Sequence, residues 1–214
     1  MMMSTNIKMR GMTVTVLACA VLSSLPCLAQ DMMPELPSYI TRSVIDGNAL
    51  SNVRGRFVVN VAAGDSNAQM NAGALAIGLD GGYTSAQVST LQALGPIHAT
   101  APDLSIAIIG DHAFANSLGT ISVNQTSGVG NTQANGMAIA VGFDVEAVSE
   151  SMLAGTASGV GLVGSTKSGN VKAASISDTA FQGSRGIVQI NQSAGSGNST
   201  ANNFAFQLQL GAKP

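Results

Sequence analysis

A motif that occurs three times constrains this fold more than any other feature of the chain. The copies span 45–77, 109–141 and 176–208, and they superimpose on one another without gaps. Eight positions hold the same residue in every copy, among them three asparagines and two glycines. One such unit buries too little apolar surface to fold alone, so the repeat predicts copies that stack on one another.

Each copy predicts two strands joined by a tight turn. In the first copy, residues 57–61 alternate with period two and are rich in β-branched side chains, which is typical of a strand. A second extended run, 67–77, follows a short polar link, and the segment that starts at Ile45 predicts a third, shorter strand. The invariant glycine of the link suits a backbone position with positive φ, and the invariant glycine before the first strand is also predicted to lie in a turn. These turn glycines are Gly55, Gly119 and Gly186, then Gly64, Gly128 and Gly195.

Stacking would align equivalent side chains in columns about 4.8 Å apart. The predicted apolar columns are Leu50, Phe114 and Phe181, and Val59, Val123 and Ile190. A buried amide without a partner costs about 1–3 kcal/mol, whereas a ladder of amides satisfies each member from above and below. Surface loops would also explain the polarity, but not the same three asparagines in every copy. The predicted self-assembly ladder is Asn60, Asn124, Asn191, Asn67, Asn131, Asn198, Asn71, Asn135, Asn202, Gln69, Gln133, Gln125 and Gln192.

The sequence therefore predicts an all-β fold, a three-rung β-solenoid-like cross-β stack with partly disordered or short-helical linkers. Residues 30–44 are expected to form a flexible leader, 78–108 and 142–175 the linkers, and 209–214 a C-terminal tail. Short helices are predicted at 85–94 and 144–153, outside the core. The strand runs contain little charge and no proline to protect their edges, so the stack is expected to polymerise by templated strand addition.

Residues 1–29 predict a secretory signal peptide. Lys8 and Arg10 precede an apolar run, and a small-x-small pattern favours cleavage after Ala29. Acylation of Cys19 as a lipoprotein is the alternative, although the apolar segment continues beyond it. Cleavage after Ala29 would remove both cysteines, so the exported chain would lack disulfides. We expect the mature chain to be secreted and to contain no membrane span.

Chemical motifs do not predict an enzyme, a metal site or a cofactor. His98 is isolated, and His112 occupies a position that varies between copies. The string G-x-G-x-x-G at 159–164 falls in a Gly/Ser-rich linker without a clear flanking strand or helix. Among the motif-head aspartates, Asp46 is one place out of register with Asp111 and Asp178, and the spacing of a calcium-binding loop is absent. Nine basic residues against eleven acidic ones do not suggest a nucleic-acid surface.

The phrase VNVAAGDSNAQMNA at 59–72, its two echoes, and the layout of signal peptide, three repeats and two linkers resemble the Fap functional-amyloid fibre subunits of Gram-negative biofilms. The resemblance implies that the repeats form the cross-β core and that the partners are further copies and a homologous fibre subunit. It also implies export through a dedicated outer-membrane pore with periplasmic helpers. Similar short linkers and a terminus without cysteine make the chain look more like the minor, nucleating subunit than the major one.

Two alternatives remain at this point. The chain could be the major fibre subunit of the same system. It could also be a soluble β-solenoid adhesin or surface-binding module that stops at three rungs. The second alternative would call for capping elements, and none is expected because Ile45 follows a short leader and the chain ends soon after Leu208.

Overall fold

The computed structural model of the chain describes residues 36–95, 99–154 and 170–211, without the side chains of 150–154. The described residues from Pro37 onward belong to one compact unit. Every regular element in the described part of this unit is a β-strand, and there are eleven of them. The predicted signal peptide, His98 and the glycine motif at 159–164 lie outside the described residues.

The strands form three successive sets, which we call rungs 1, 2 and 3. Rung 1 consists of β1 (Ile40–Ile45), β2 (Arg54–Ala63), β3 (Ala68–Ile77) and β4 (Tyr83–Ala93). Rung 2 consists of β5 (Leu104–Ile109), β6 (Leu118–Ser127), β7 (Thr132–Gly142) and β8 (Asp144–Ala154). Rung 3, as far as it is described, consists of β9 (Val171–Ile176), β10 (Arg185–Ala194) and β11 (Ser199–Gln209).

Equivalent strands of successive rungs pair in parallel and in register. The sheets are β1-β5-β9, β2-β6-β10, β3-β7-β11 and the two-stranded β4-β8. In the second and third sheets each residue pairs with its equivalent in the neighbouring copy of the sequence repeat, and the first sheet continues the same register upstream. Rung 2 is therefore enclosed between rungs 1 and 3. This arrangement confirms the predicted all-β, β-solenoid-like stack.

The four sheets lie as layers in chain order, and strand alternation gives each inner sheet two different faces. One face of β2 and β6 packs Val59 and Val123 against a core that contains Ile45 and the buried Phe114. The other face presents Asn60 and its equivalents to β3. Beyond β3, small side chains such as Ala138 pack against Ala and Val residues of β4 and β8. The polar layer thus lies between two apolar layers.

The helices predicted in the linkers are wrong, because both segments form strands. β4 alternates strictly between exposed and buried residues, with Thr84, Ala86, Val88 and Thr90 facing inward. β8 pairs with β4 in register over its whole length. Apart from Gln92, the inward side chains of β4 are small or β-branched. They close the apolar layer over β3 and β7, so tertiary packing overrides weak helix propensity. Part of each linker therefore belongs to the core.

Two further boundaries differ from the expectation. The leader predicted to be flexible through residue 44 already contains β1, which starts at Ile40 and pairs with β5. The short strand predicted at the start of the repeat begins at Ile45 in the first copy, and this prediction is wrong. Strand β1 ends at Ile45, and turns follow at 47–52. Leu50 in that turn has a φ of 54° and its equivalent Phe114 has 62°, a left-handed conformation that a strand cannot contain.

Candidate assembly site

The turn asparagines form the most regular column of the stack. Both the backbone N–H and the side-chain Nδ2 of Asn131 donate to Oδ1 of Asn67, at 3.0 and 2.8 Å. Asn198 repeats this arrangement on Asn131, again at 3.0 and 2.8 Å. Each step also uses the turn backbone, since Asn67 donates to the carbonyl of Gly128 and Asn131 to that of Gly195. The same set of bonds therefore recurs from rung to rung.

A second column of asparagines lies between the second and third sheets. Nδ2 of Asn124 donates to Oδ1 of Asn60 at 3.1 Å, and Asn191 donates to Asn124 at 2.9 Å. Each donor also reaches a carbonyl of the facing sheet, that of Met70 for Asn124 and of Ala134 for Asn191. These side chains therefore connect rungs within one sheet and join the two sheets across the polar layer.

A third column faces the second one. Nδ2 of Asn135 donates to Oδ1 of Asn71 at 2.7 Å, and Asn202 donates to Asn135 at 3.0 Å. Within rung 2, Asn135 also donates to Oδ1 of Asn124 at 3.0 Å. Asn124, Asn131 and Asn135 are all fully buried, and each has hydrogen-bond partners above and below. In all three columns the later rung donates to the earlier one, so the ladders have a direction.

The glutamines form shorter columns than the asparagines. Gln69 donates to Oε1 of Gln133 at 2.8 Å, and Gln192 donates to Oε1 of Gln125 at 2.9 Å. Neither column extends through all three rungs. Rung 3 has Thr200 at the position of Gln69 and Gln133, and rung 1 has Val61 at the position of Gln125 and Gln192. The structure thus brings all thirteen predicted amides into columns, of which three are complete. All thirteen amides lie in the same three-rung stack.

Gly64, Gly128 and Gly195 lie in the turns that follow β2, β6 and β10, as predicted. Gly55, Gly119 and Gly186 are the second residues of these strands, so their predicted turn position is wrong. All six glycines have positive φ, and several are also required by close backbone approach. Gly128 has a φ of 132°, and a Cβ on it would lie 1.9 Å from the carbonyl oxygen of Gly195. Gly119 has a φ of 131°, and a Cβ there would lie 2.0 Å from the oxygen of Gly55. Their equivalents Gly64 and Gly186 make contacts of the same kind with neighbouring rungs. Any side chain at these positions would force successive rungs apart.

The predicted apolar columns also stack from rung to rung, apart from the amide columns. The rings of Phe114 and Phe181 are parallel, with centroids 4.7 Å apart and an interplanar angle of 3°. Leu50 is the equivalent residue in rung 1, where the N–H of Phe114 bonds the neighbouring carbonyl of Ala49 at 2.8 Å, but the Leu50 side chain is exposed. The other predicted column, formed by Val59, Val123 and Ile190, lies in register on the same core.

Serine and threonine hydroxyls form further columns, which were not predicted from the sequence. Thr126 and Ser193 share a hydrogen bond of 2.9 Å, and Thr132 donates to Ser199 at 3.1 Å. Ser127 donates to the carbonyl of Thr41, which connects the first two sheets. The signal that could have found the first two pairs is the repeat alignment, which places Ser or Thr at the same position in adjacent copies.

Ionisable groups lie mainly at the margins of the stack. Burial, together with a hydrogen bond to Asp65, raises the pKa of Tyr39 above its usual value of 10.0. In the outermost layer, a hydrogen bond from the Tyr83 hydroxyl to Glu146 is the main cause that raises the pKa of Tyr83. Among the described residues no three His, Cys, Asp or Glu side chains group as a metal site would require.

These features together define the class of the protein. The described residues form a parallel in-register stack with amide ladders, and the strands of its two end rungs pair on one side among these residues. This is the architecture of cross-β proteins. The described residues include no helix with the length and apolarity that a membrane span requires.

The family comparison specifies this class further. The model of the "Functional amyloid protein FapB/FapC family" matches residues 28–209, so the chain belongs to that family. It is a functional amyloid subunit of an extracellular fibre, a structural class and not an enzyme class. No solved structure matches the chain.

Proposed function

We propose that the chain is a secreted subunit of a biofilm-matrix fibre that supports adhesion, and that copies join by stacking rung 1 of one on rung 3 of the next. In this proposal the assembly surface is the end of the stack, where the amide columns and the layers formed by the alternating sheet faces meet the next copy. The mechanism is templated strand addition, in which an exposed rung aligns the incoming amides and pairs its backbone.

One observation carries the proposal, namely that two successive steps of the stack use the same hydrogen bonds. Asn131 binds Asn67 through N and Nδ2, and Asn198 binds Asn131 through the same two atoms at the same distances. A third step of the same geometry would place Asn67 of the next copy over Asn198. A step that repeats without change is the condition for a stack that can continue beyond one chain.

The backbone supports the same conclusion. β9, β10 and β11 each have a strand partner on one side within the chain, as do β1, β2 and β3 at the opposite end. Their other edges carry alternate N–H and C=O groups, which are templates for another parallel strand. Because all strand pairing in the described residues is parallel and in register, a second copy is the complementary partner for these edges.

Fibre assembly of the chain without residues 1–29 tests this function. We expect a lag, then thioflavin binding, and a fibre reflection near about 4.7–4.8 Å along the axis. The rung spacing would give this reflection, whereas aggregates of unfolded chain would give no oriented pattern. A chain that stays monomeric at high concentration for days would contradict the proposal.

We further propose the minor, nucleating role for this subunit, with a homologous major subunit as its partner. Two short linkers of similar length support this assignment, because they leave the three rungs closely connected. The proposal includes export through the dedicated outer-membrane pore with periplasmic helpers. Substoichiometric preformed fibres of this chain should shorten the lag of the major subunit. Equal seeding in both directions would instead favour a major-subunit role.

A further inference from the structure

Charge is distributed unevenly over the rungs. The three three-stranded sheets contain five charged residues in their strands, and all five are cationic. None lies in rung 2, where β5, β6 and β7 are uncharged. The five residues are Arg42, Arg54, Arg56, Lys172 and Arg185. Cations on exposed strand edges are a known protection against unwanted pairing, so their position at the two ends has a physical consequence.

Two of these cations occupy the same column. Arg54 pairs in register with Leu118, and Leu118 pairs in register with Arg185. Within one chain the leucine therefore separates the two guanidinium groups by two rung steps. When rung 1 of a second copy stacks on rung 3, Arg54 of that copy becomes the direct neighbour of Arg185. The separation then falls to one rung step of about 4.8 Å.

We propose that this arginine pair, formed only at the junction between successive copies, is an ionic-strength-dependent brake on addition of the chain to itself. The inference rests on the proposed head-to-tail stacking. Both side chains are exposed in the single copy, so the repulsion acts through water and is screened by salt. A partner rung with an acidic residue at the Arg54 position would bind rung 3 without this repulsion.

The size of the effect follows from the spacing. Two unit charges about 5 Å apart in water, with a screening length of about 30 Å at 10 mM salt, slow addition about threefold. At 1 M salt the screening length is about 3 Å, and the same pair slows addition by less than about 1.5-fold. Reversing one of the two charges converts repulsion to attraction, so elongation at 10 mM salt should increase about tenfold.

Arg56 provides a matched control on the same strand. Its column continues through Thr120 and Ile187, so at the junction it meets an isoleucine and no charge. The substitution R56E changes the net charge by the same amount as R54E. Arg56 would lie about 8 Å from Arg185 across the junction, against about 5 Å for Arg54, so R56E should increase elongation at 10 mM salt about fourfold and R54E about tenfold.

A charge-reversal cycle tests the pairing. Elongation of seeded fibres is measured at 10 mM and 1 M salt for the unmodified chain, R54E, R185E, R54E/R185E and R56E. We expect the first two single variants to elongate about tenfold faster at low salt, and the double variant to return to the unmodified rate. The differences should largely disappear at 1 M salt.

Other outcomes separate the failure of this inference from that of the proposed function. Additive effects in the double variant, or equal effects of R54E and R56E, would overturn the arginine contact while fibre assembly stands. If no variant assembles and the unmodified chain also stays monomeric, the proposed stacking itself is wrong. Circular dichroism of each chain before seeding checks that the substitutions leave its strand content unchanged.

Discussion

Replacement of Asn135 by aspartate tests the amide ladder at its most demanding position. Nδ2 of this fully buried side chain donates to Oδ1 of Asn71, to the carbonyl of Val123 and to Oδ1 of Asn124. Asn135→Asp replaces this donor by an oxygen that faces three acceptors. An ionised carboxylate cannot donate to any of them, and a protonated one can donate to one. The substitution therefore replaces a satisfied set of hydrogen bonds by an electrostatically unfavourable contact between oxygens.

The expected free-energy cost has two parts. Unsatisfied acceptors cost about 1–3 kcal/mol at any pH. Burial also raises the pKa of the introduced carboxyl above its unfolded value of about 3.9, because no cation lies among the side-chain partners of Asn135. The unfolded or dissociated chain then ionises first as pH rises. Fibre stability should therefore fall by about 1.4 kcal/mol per pH unit between about pH 3.9 and the folded pKa of the new carboxyl.

The assay is the concentration of free chain that remains in equilibrium with fibres. Relative to the unmodified chain, the Asn135→Asp variant should show an about tenfold higher free concentration for each pH unit between pH 4 and its folded pKa. Asn52→Asp is the control, since Asn52 is exposed and its side chain donates only to Ser51. A variant that assembles at pH 7 like the unmodified chain, or a penalty independent of pH, would refute the buried ladder.

Three further substitutions test other parts of the stack. Gly128→Ala should abolish seeded elongation, because the new Cβ would lie 1.9 Å from a carbonyl oxygen of the next rung, whereas Gly197→Ala, with open space around it, should slow it far less. Phe114→Ala should destabilise the chain by about 3–5 kcal/mol in denaturant unfolding, and leucine there should restore most of the loss. Glu146→Gln should move the pKa of Tyr83 back toward 10.0 in an ultraviolet titration, because the carboxylate causes most of its increase.

The repeat made the register of the fold predictable from the sequence. Because the side chains of a strand alternate between two faces, invariant Asn60 and its neighbour Val59 had to point into different layers, and the structure places them so. Gly64, Gly128 and Gly195 could be assigned to turns because their conformational requirement is local. Strand alternation and turn conformation are local properties of the residues, and comparison of the three copies adds the register between rungs.

The linker strands could not be predicted in the same way. Tyr83 pairs with Asp144, and this spacing along the chain differs from that of the repeats, which hides the similarity of the two linkers. Their small polar side chains suit either a helix or a strand in isolation. Packing against Ala138 and its neighbours decides between them, and that surface exists only once the third sheet has formed. Similarly, Arg54 and Arg185 share a column only in the folded stack.

The enclosure of rung 2 has a consequence for the kinetics of fibre formation. Residues 121–138 are buried without interruption within a single chain. A single molecule therefore already gives rung 2 a neighbour on both sides, as a rung in the interior of a filament would have. If copies add as proposed, the smallest growth-competent particle is a single folded chain. The rate of primary nucleation should then increase with about the first power of protein concentration, not with a higher power.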